Sequence, residues 1–193
     1  MSHPASGGVE RRQDLVRSAA AVFARRGYER ARVAEIAKQA HVATGTFYLY
    51  FPSKEACFLD LVAQLYDLVL TRVAHARQGE PDILRKLEAS ITAVLQTFQD
   101  ERDLAAIVLL QGSGSLPLMA ERLRTAEDNL AALLAQDLKE ASDAGLMSSG
   151  DASLRAHLVI GAMREALLYR LRRQDEPAAQ DAEVREFLMR ALR

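Results

Sequence analysis

Tryptophan is absent from this 193-residue chain, and cysteine occurs once, as Cys57. A single cysteine excludes an internal disulfide, and this usage is typical of a reducing compartment. We therefore expect a cytoplasmic protein. The pattern around Cys57 indicates an ordinary apolar position on a helix, and a redox-sensing thiol is the alternative.

Proline occurs only five times, and no run of 18 apolar residues is present. The missing apolar run excludes a membrane-spanning helix, so we expect no membrane association. The first eight residues lack the basic and apolar pattern of a secretion signal, and we expect a short disordered lead there. Ala and Leu dominate, with Glu, Arg and Gln at polar positions, which predicts helix almost throughout.

The chain also lacks the usual motifs of catalysis. It contains no Gly-x-Ser-x-Gly, no metal-ligand spacing and no pairing of Cys with His. Residues 112–115 superficially resemble a phosphate-binding loop, but the Gly-Lys-Thr ending and a preceding strand are missing, so they predict a flexible loop. We therefore expect no enzymatic activity, no cofactor and no metal.

Charge is distributed unevenly along the chain. The net charge is −1 over the whole sequence, yet residues 1–54 carry nine Lys and Arg against four Asp and Glu, a net of +5. The remaining residues therefore carry −6. A basic N-terminal part followed by an acidic remainder is typical of a protein that binds nucleic acid through one end of its chain.

Apolar residues recur at helical spacing along the whole chain, with Gly, Pro and Ser clusters between the segments. The pattern predicts an all-α protein of about nine helices: a three-helix, helix-turn-helix head on a larger C-terminal helical bundle. We place a DNA-binding domain at 1–54 and a ligand-binding and dimerisation domain at 55–193. The predicted helices are 9–26, 33–40, 44–50, 52–75, 82–100, 103–111, 117–144, 153–173 and 179–192.

Residues 36–51 are the most informative segment, since they predict two short helices joined by a tight turn. The second helix opens with the small residues Thr44, Gly45 and Thr46 and ends in aromatic residues. Small side chains let a helix N-terminus approach bases and phosphates in the major groove, while aromatic residues anchor it to a core. We expect Thr44 to be the N-cap, and Phe47 and Phe51 to pack inside the head.

The run 45–55, Gly-Thr-Phe-Tyr-Leu-Tyr-Phe-Pro-Ser-Lys-Glu, resembles the TetR family of bacterial transcriptional regulators. The specific match covers roughly residues 11–60 and also includes Gly27, Tyr28, Val33, Ile36, Ala37, Ala40 and Val42. The resemblance implies a homodimer whose two heads bind a palindromic operator in double-stranded DNA. It further implies that a small molecule in the body releases the DNA, as in a ligand-responsive repressor.

The resemblance also assigns candidate DNA contacts. Tyr48 and Lys54 match family positions that hold phosphates, and Gly45 lets the backbone approach DNA closely. Thr44 and Thr46 offer hydroxyls, and the methyl of Thr46 suits a thymine. The full set of candidate DNA-binding residues is Arg32, Thr44, Gly45, Thr46, Tyr48, Tyr50 and Lys54.

Two positions depart from the family pattern. Ala31-Arg32 replaces the usual hydroxyl pair at the start of the second helix. Arg32 either contacts a phosphate through its charge or simply faces solvent. His41 stands where Gly is common in the turn, and His is among the residues that tolerate a positive φ.

The sequence of the C-terminal domain, residues 55–193, says less about function, because any helical bundle needs an apolar core. Candidate pocket residues, for which plain core packing is the alternative, are Leu61, Leu65, Phe98, Arg102, Ile107, Leu110, Leu130 and Met163. The amino-acid sequence of the head is also similar to that of fatty-acid regulators of the family, which respond to acyl-CoA thioesters. A broad sensor of lipophilic compounds is equally compatible with the sequence.

The last two helical stretches are candidates for the dimer interface, because the family pairs its C-terminal helices. The candidate interface residues are Leu154, Leu158, Gly161, Ala162, Glu165, Leu168, Phe187 and Leu188. Packing on the chain's own body would explain the same pattern. Two other functions stay open: a DNA-bound architectural or recruiting factor without a small-molecule effector, and a three-helix head that has no DNA role.

Overall fold

A computed structural model describes residues 4–111, 117–173 and 177–192. Within these ranges the chain is helical, without a strand, and none of the helices is both long and apolar enough to cross a membrane. The α-helices are α1 (Pro4–Arg26), α2 (Val33–Gln39), α3 (Thr44–Tyr50), α4 (Lys54–Ala76), α5 (Ile83–Asp100), α6 (Arg102–Ala106), α7 (Pro117–Asp143), α8 (Ala152–Arg173) and α9 (Pro177–Leu192). A π-helical segment, Ile107–Gln111, follows α6.

The all-α prediction is confirmed, and the observed helix bounds lie close to the predicted ones. One prediction is wrong: α1 begins at Pro4, inside the segment 1–8 that we expected to be disordered. Once a helix has nucleated, each added residue gains a backbone hydrogen bond, so a helix can extend beyond its amphipathic part. The segment 107–111, expected as α-helix, is π-helix instead. Residues 1–3 and 112–116, which include the expected loop, lie outside the described residues.

The chain divides into two compact units. The first comprises Met1–Leu65 and Asp103–Ala120, and the second comprises Tyr66–Arg102 and Glu121–Arg193. The first unit is therefore larger than the head that we expected at 1–54. Its additional residues include the beginning of α4, because Asp60 on α4 accepts two hydrogen bonds from Arg12 on α1, at 2.6 and 2.8 Å.

Aromatic packing forms the centre of the first unit. The rings of Phe23 and Phe58 are 5.6 Å apart, and Tyr28 lies 5.0 Å from Phe58 in an edge-to-face arrangement. The apolar stripe of α1 packs around them, with Leu15 and Ala19 fully buried. This core fixes α1 against the start of α4 and supports the two short helices between them.

The second unit is built from the end of α4 together with α5, α7, α8 and α9. Helix α5 buries Leu87, Ile91 and Leu95 on one face, as its amphipathic pattern requires. Tyr66 packs edge-on against Phe98, with ring centroids 6.4 Å apart. Across the described residues of both units, no three His, Cys, Asp or Glu side chains group closely enough to hold a metal ion.

Cys57 lies on α4 in the core of the first unit and is fully buried, as expected for an apolar helix position. Burial, aided by the charge of Asp60, raises the pKa of the Cys57 thiol to about 12. The thiolate is the reactive form, so burial and the raised pKa both oppose the redox-sensor alternative.

We expect Cys57 to resist a thiol reagent such as Ellman's reagent in the native protein at pH 8, since the protonated thiol is inaccessible. In 6 M guanidinium the same thiol should react rapidly and with one equivalent. The absorbance of the released thionitrobenzoate measures both reactions. Fast, stoichiometric labelling of the folded protein would contradict this prediction.

Candidate nucleic-acid interface and effector cavity

The turn between α2 and α3 has the hydrogen bonds of a Schellman motif. The amide of Val42 donates to the carbonyl of Ala37 at 2.9 Å, and the amide of His41 donates to Lys38 at 3.1 Å. Such a motif needs a left-handed residue directly after the helix cap, and His41 has a φ of 56°. The expectation of a positive φ at His41 is confirmed, and the motif sets the angle at which α3 leaves α2.

Helix α3 is anchored by two aromatic side chains. Phe47 and Phe51 are buried with their ring centroids 5.6 Å apart, as expected. The guanidinium of Arg12 lies 4.8 Å from the centre of the Phe51 ring, in addition to its bond with Asp60. The C-terminal end of α3 is therefore held by both apolar packing and a cation–π contact.

The opposite face of α3 is presented to solvent. Thr44, Gly45, Tyr48 and Leu49 form this exposed face, with Tyr48 53% and Leu49 83% exposed. Thr46 and Tyr50 are half-buried at its borders. Leu49 was missed by the sequence analysis, although it lies four residues after Gly45 and therefore on the same side of the helix.

The prediction that Thr44 caps α3 is wrong. Ala43 is the N-cap residue and has no side-chain cap bond, while Thr44 is the first residue inside the helix. The extended backbone of Ala43 and the bond from the Thr46 amide to the Ala43 carbonyl, at 2.9 Å, start the helix instead. The hydroxyl of Thr44 is thus not engaged in capping its own helix and lies on the exposed face.

Nothing within the protein requires glycine at position 45. A Cβ built there would meet no atom within 4 Å, and the residue has no positive φ. Alanine is also the better helix former at such a position. The space in front of Gly45 is therefore open, which leaves the backbone of α3 accessible to an external molecule.

Lys54 is engaged inside the protein. Its ammonium donates to the carbonyls of Tyr28 at 2.7 Å, Ala31 at 3.1 Å and Glu29 at 3.3 Å, and lies 4.3 Å from the centre of the Tyr28 ring. These three acceptors use the three donors of a lysine. The expected phosphate contact would have to replace one of them, so the observed role of Lys54 is to hold the connection between α1 and α2.

Arg32 precedes α2, and its backbone amide donates to the Glu35 carboxylate at 3.3 Å. The carboxylate thus partly replaces the missing hydroxyl cap, because it satisfies a backbone donor near the helix N-terminus. The Arg32 residue is exposed. Neither sequence-based alternative, a phosphate contact or a solvent-facing side chain, is decided by this arrangement.

Other basic side chains surround the helix-turn-helix. Arg25 lies at the end of α1 and donates to Gln39 of α2 at 3.2 Å, while Arg26 pairs with Glu35 at 3.5 Å. Arg30 and Lys38 are also exposed. The sequence predicted a positive charge on the N-terminal part of the chain. These basic side chains and the exposed face of α3 lie in the same unit, the first one.

The second unit contains a cavity of about 30 Å³, space for roughly two water molecules. Leu130 and Met163 of the predicted pocket line it. Phe98 is packed on Tyr66 instead, and Leu61, Leu65 and Ile107 are buried core residues of the first unit. Arg102 and Leu110 also do not line this cavity, and Leu110 is exposed. Helical periodicity could not separate pocket from core, because both place apolar side chains on inward faces.

The predicted dimer residues fall into two groups. Leu154, Leu158, Gly161 and Glu165 follow one exposed face of α8, with Ala162 half-buried beside them, and Phe187 is exposed on α9. Leu168 and Leu188 are buried in the chain's own core. For these two positions, the alternative of packing on the chain's own body is the observed one.

Replacing Lys54 with Met should lower the free energy of unfolding by about 1–3 kcal/mol, because two part-buried carbonyls and one exposed carbonyl would lose a charged donor. The matched control is Lys38→Met, at an exposed position of α2, which should change stability by less than about 0.5 kcal/mol. Urea denaturation followed by circular dichroism measures both values. Equal stability of the two variants would contradict the role described for Lys54.

The family model described as bacterial regulatory proteins, tetR family, matches residues 15–61. Two Bacillus subtilis (strain 168) proteins are similar to the chain. The uncharacterized HTH-type transcriptional regulator YdgC is 36% identical over 106 residues, which cover 53% of this chain and 54% of that protein. The fatty acid metabolism regulator protein is 25% identical over 154 residues, which cover 79% of each.

Among solved structures, the transcriptional regulator FadR from Bacillus subtilis in complex with stearoyl-CoA has the same fold. Its TM-score is 0.83 at 23% identity, covering 94% of this chain and 99% of that chain. The chain spans 36% and 54% of the lengths of the first curated relatives that it matches. The family match includes the second half of α1, all of α2 and α3 and the start of α4. Residues 15–61, the helix-turn-helix head, therefore match the tetR family of bacterial regulatory proteins.

Proposed function

We propose that the protein is a transcriptional repressor that binds double-stranded DNA through α3. The exposed face of α3 is the observation that carries the proposal. It presents Thr44, Gly45, Tyr48 and Leu49, while Phe47 and Phe51 fix the helix from behind. A short helix with small residues at its N-terminus and a hydroxyl near its end suits the major groove and the adjoining phosphates.

The chemistry of the face suggests how each side chain would act. The open space at Gly45 admits a phosphate close to the backbone amides of α3. The phenol of Tyr48 can donate one hydrogen bond to a phosphate, and the exposed Leu49 side chain suits the methyl group of a thymine. The surrounding Arg and Lys side chains would supply the sequence-independent attraction to DNA.

The repressor would act as a homodimer on a palindromic operator. The exposed face of α8 is apolar at Leu154 and Leu158 and small at Gly161, which lets two helices approach closely. Phe187 on α9 is 64% exposed, which is unusual for a large aromatic side chain unless a partner covers it. A two-fold arrangement of these faces would give two heads for two half-sites.

A small hydrophobic ligand would release the DNA. The apolar cavity of the second unit is the candidate binding site, and all of its lining residues belong to that unit. A similar protein is a fatty acid metabolism regulator, and a protein of the same fold binds stearoyl-CoA. These two similar proteins support an acyl compound, such as an acyl-CoA, over other lipophilic effectors.

The test is the binding of the purified protein to its own upstream DNA across a range of salt concentrations, with analytical ultracentrifugation of the complex. We expect two protomers per site and an affinity that falls steeply with salt. One class of acyl-CoA, fatty acid or lipophilic cation should abolish binding. Specific binding that no ligand disturbs would favour the architectural alternative, and binding of single protomers would overturn the dimer.

Gly45→Ala should leave the melting temperature unchanged or slightly raised, because Ala is the better helix former and meets no protein atom. It should weaken operator binding by roughly tenfold, since the added methyl separates the backbone from the phosphate. Gly8→Ala, a second helical glycine whose Cβ also meets nothing, is the matched control. Thermal melting and fluorescence anisotropy with labelled DNA measure the two effects.

The companion variant Tyr48→Phe should weaken specific and non-specific DNA binding alike, since a phosphate contact carries no sequence information. If Gly45→Ala and Tyr48→Phe both bind the operator with the affinity of the unmodified protein, α3 is not the helix that enters the groove.

A further inference from the structure

Helix α3 lacks the side chains that read purines in the major groove. Arg and Lys recognise guanine, and Asn and Gln recognise adenine, through paired hydrogen bonds to the edge of the base. The seven residues of α3, Thr-Gly-Thr-Phe-Tyr-Leu-Tyr, include neither a charged nor an amide side chain. In the proposed complex with DNA, α3 must therefore recognise bases through hydroxyl or apolar groups.

Leu49 is the apolar group that α3 offers to a partner. Phe47 is buried in the core of the first unit, and Thr46 and Tyr50 are half-buried. Tyr48 is exposed, but its phenol is suited to a phosphate. Leu49 is 83% exposed, which is the largest exposure of any large apolar side chain in the part of the chain that the structure describes.

The surroundings of Leu49 allow it to reach the floor of a groove. Gly45 precedes it by four residues and lies on the same side of α3, where it presents no side chain. A Cβ at Gly45 would meet no atom of the protein, so the space in front of this side is open. Phe47 and Phe51 anchor the helix from behind and thereby fix the backbone at Leu49.

The charge around α3 favours DNA over an apolar protein partner as the molecule that covers Leu49. Arg30, Arg32 and Lys38 are exposed in the same unit. These cations attract phosphates and would have to be desolvated against an apolar protein surface. An exposed leucine within a basic surface is therefore best covered by a nucleic acid.

Thymine is the base that suits a leucine. Its C5-methyl group is the apolar feature that distinguishes one base from another in the major groove. Contact between this methyl group and Leu49 would remove apolar surface of both from water. A leucine placed against a guanine or an adenine would instead cover polar groups of the base edge without offering them a hydrogen bond.

We propose that the head recognises thymine methyl groups rather than purine edges, and that Leu49 is the residue that determines this specificity. This inference rests on the proposed function, since it specifies what α3 reads in DNA. Each half-site then contains a fixed A·T pair whose thymine methyl group contacts Leu49. Tyr48 and the basic side chains hold the phosphates independently of sequence.

The test uses sites that the full-length protein selects from a random pool of double-stranded DNA. We expect every selected half-site to contain a fixed A·T pair. Replacement of a single thymine by uracil removes one methyl group and keeps all hydrogen-bonding groups of the base. At the contacted thymine this replacement should weaken binding about four-fold, the amount that burial of one methyl group contributes. Fluorescence anisotropy with labelled DNA measures the affinities.

Three variants assign the methyl contact to a residue. Leu49→Ala should bind the thymine and uracil sites equally, because the shorter side chain does not reach the methyl group, and its melting temperature should stay unchanged. Tyr48→Phe should bind both sites more weakly and keep the four-fold preference for thymine. Leu146→Ala, at an exposed leucine of the second unit, is the matched control and should keep both the affinity and the preference.

The outcomes separate failure of this inference from failure of the proposed function. If the selected sites are fixed only at G·C pairs, or if Leu49→Ala keeps the preference for thymine, the repressor stands and the inference is overturned. Equal affinity of the unmodified protein for thymine and uracil at every position overturns it as well. If the protein selects no sequence from the pool, the proposed function itself fails.

Discussion

The exposed face of α3 depends on the burial of Phe47 and Phe51 behind it. A helix of seven residues is too short to be stable alone, so tertiary packing must hold it. Both rings are buried, and Arg12 links them to α4 through its contact with Phe51 and its paired hydrogen bonds to Asp60. The position of α3 is thus determined by α1 and α4, and this leaves its other face free for a partner.

The connection that precedes α2 is likewise held in place by a tertiary contact. Its backbone carbonyls at Tyr28, Glu29 and Ala31 lie outside any helix and converge on the ammonium of Lys54. A charged donor at that point stabilises an irregular segment that has no hydroxyl cap of its own. Lys54, which the sequence analysis predicted to contact DNA, thus also helps to keep the helices of the first unit in place.

The buried pair of Arg77 and Asp137 has a comparable place in the second unit. Its partners are 60 residues apart, one after α4 and the other on α7, and their paired hydrogen bonds join these two segments. Buried ion pairs often add little net stability, because desolvation offsets their attraction. The pair therefore contributes more to fixing the end of α4 against α7 than to net stability.

The sequence by itself determined the helices, the turn at His41 and the anchoring role of Phe47 and Phe51, because helical periodicity and turn chemistry act between neighbouring residues. Only the tertiary structure decided the partners of Lys54 and the pairing of Arg77 with Asp137. It also decided which apolar side chains of α8 face outward and that Leu168 and Leu188 face inward. These features depend on contacts between distant segments, and an apolar stripe looks the same in sequence whether its own chain or a partner covers it.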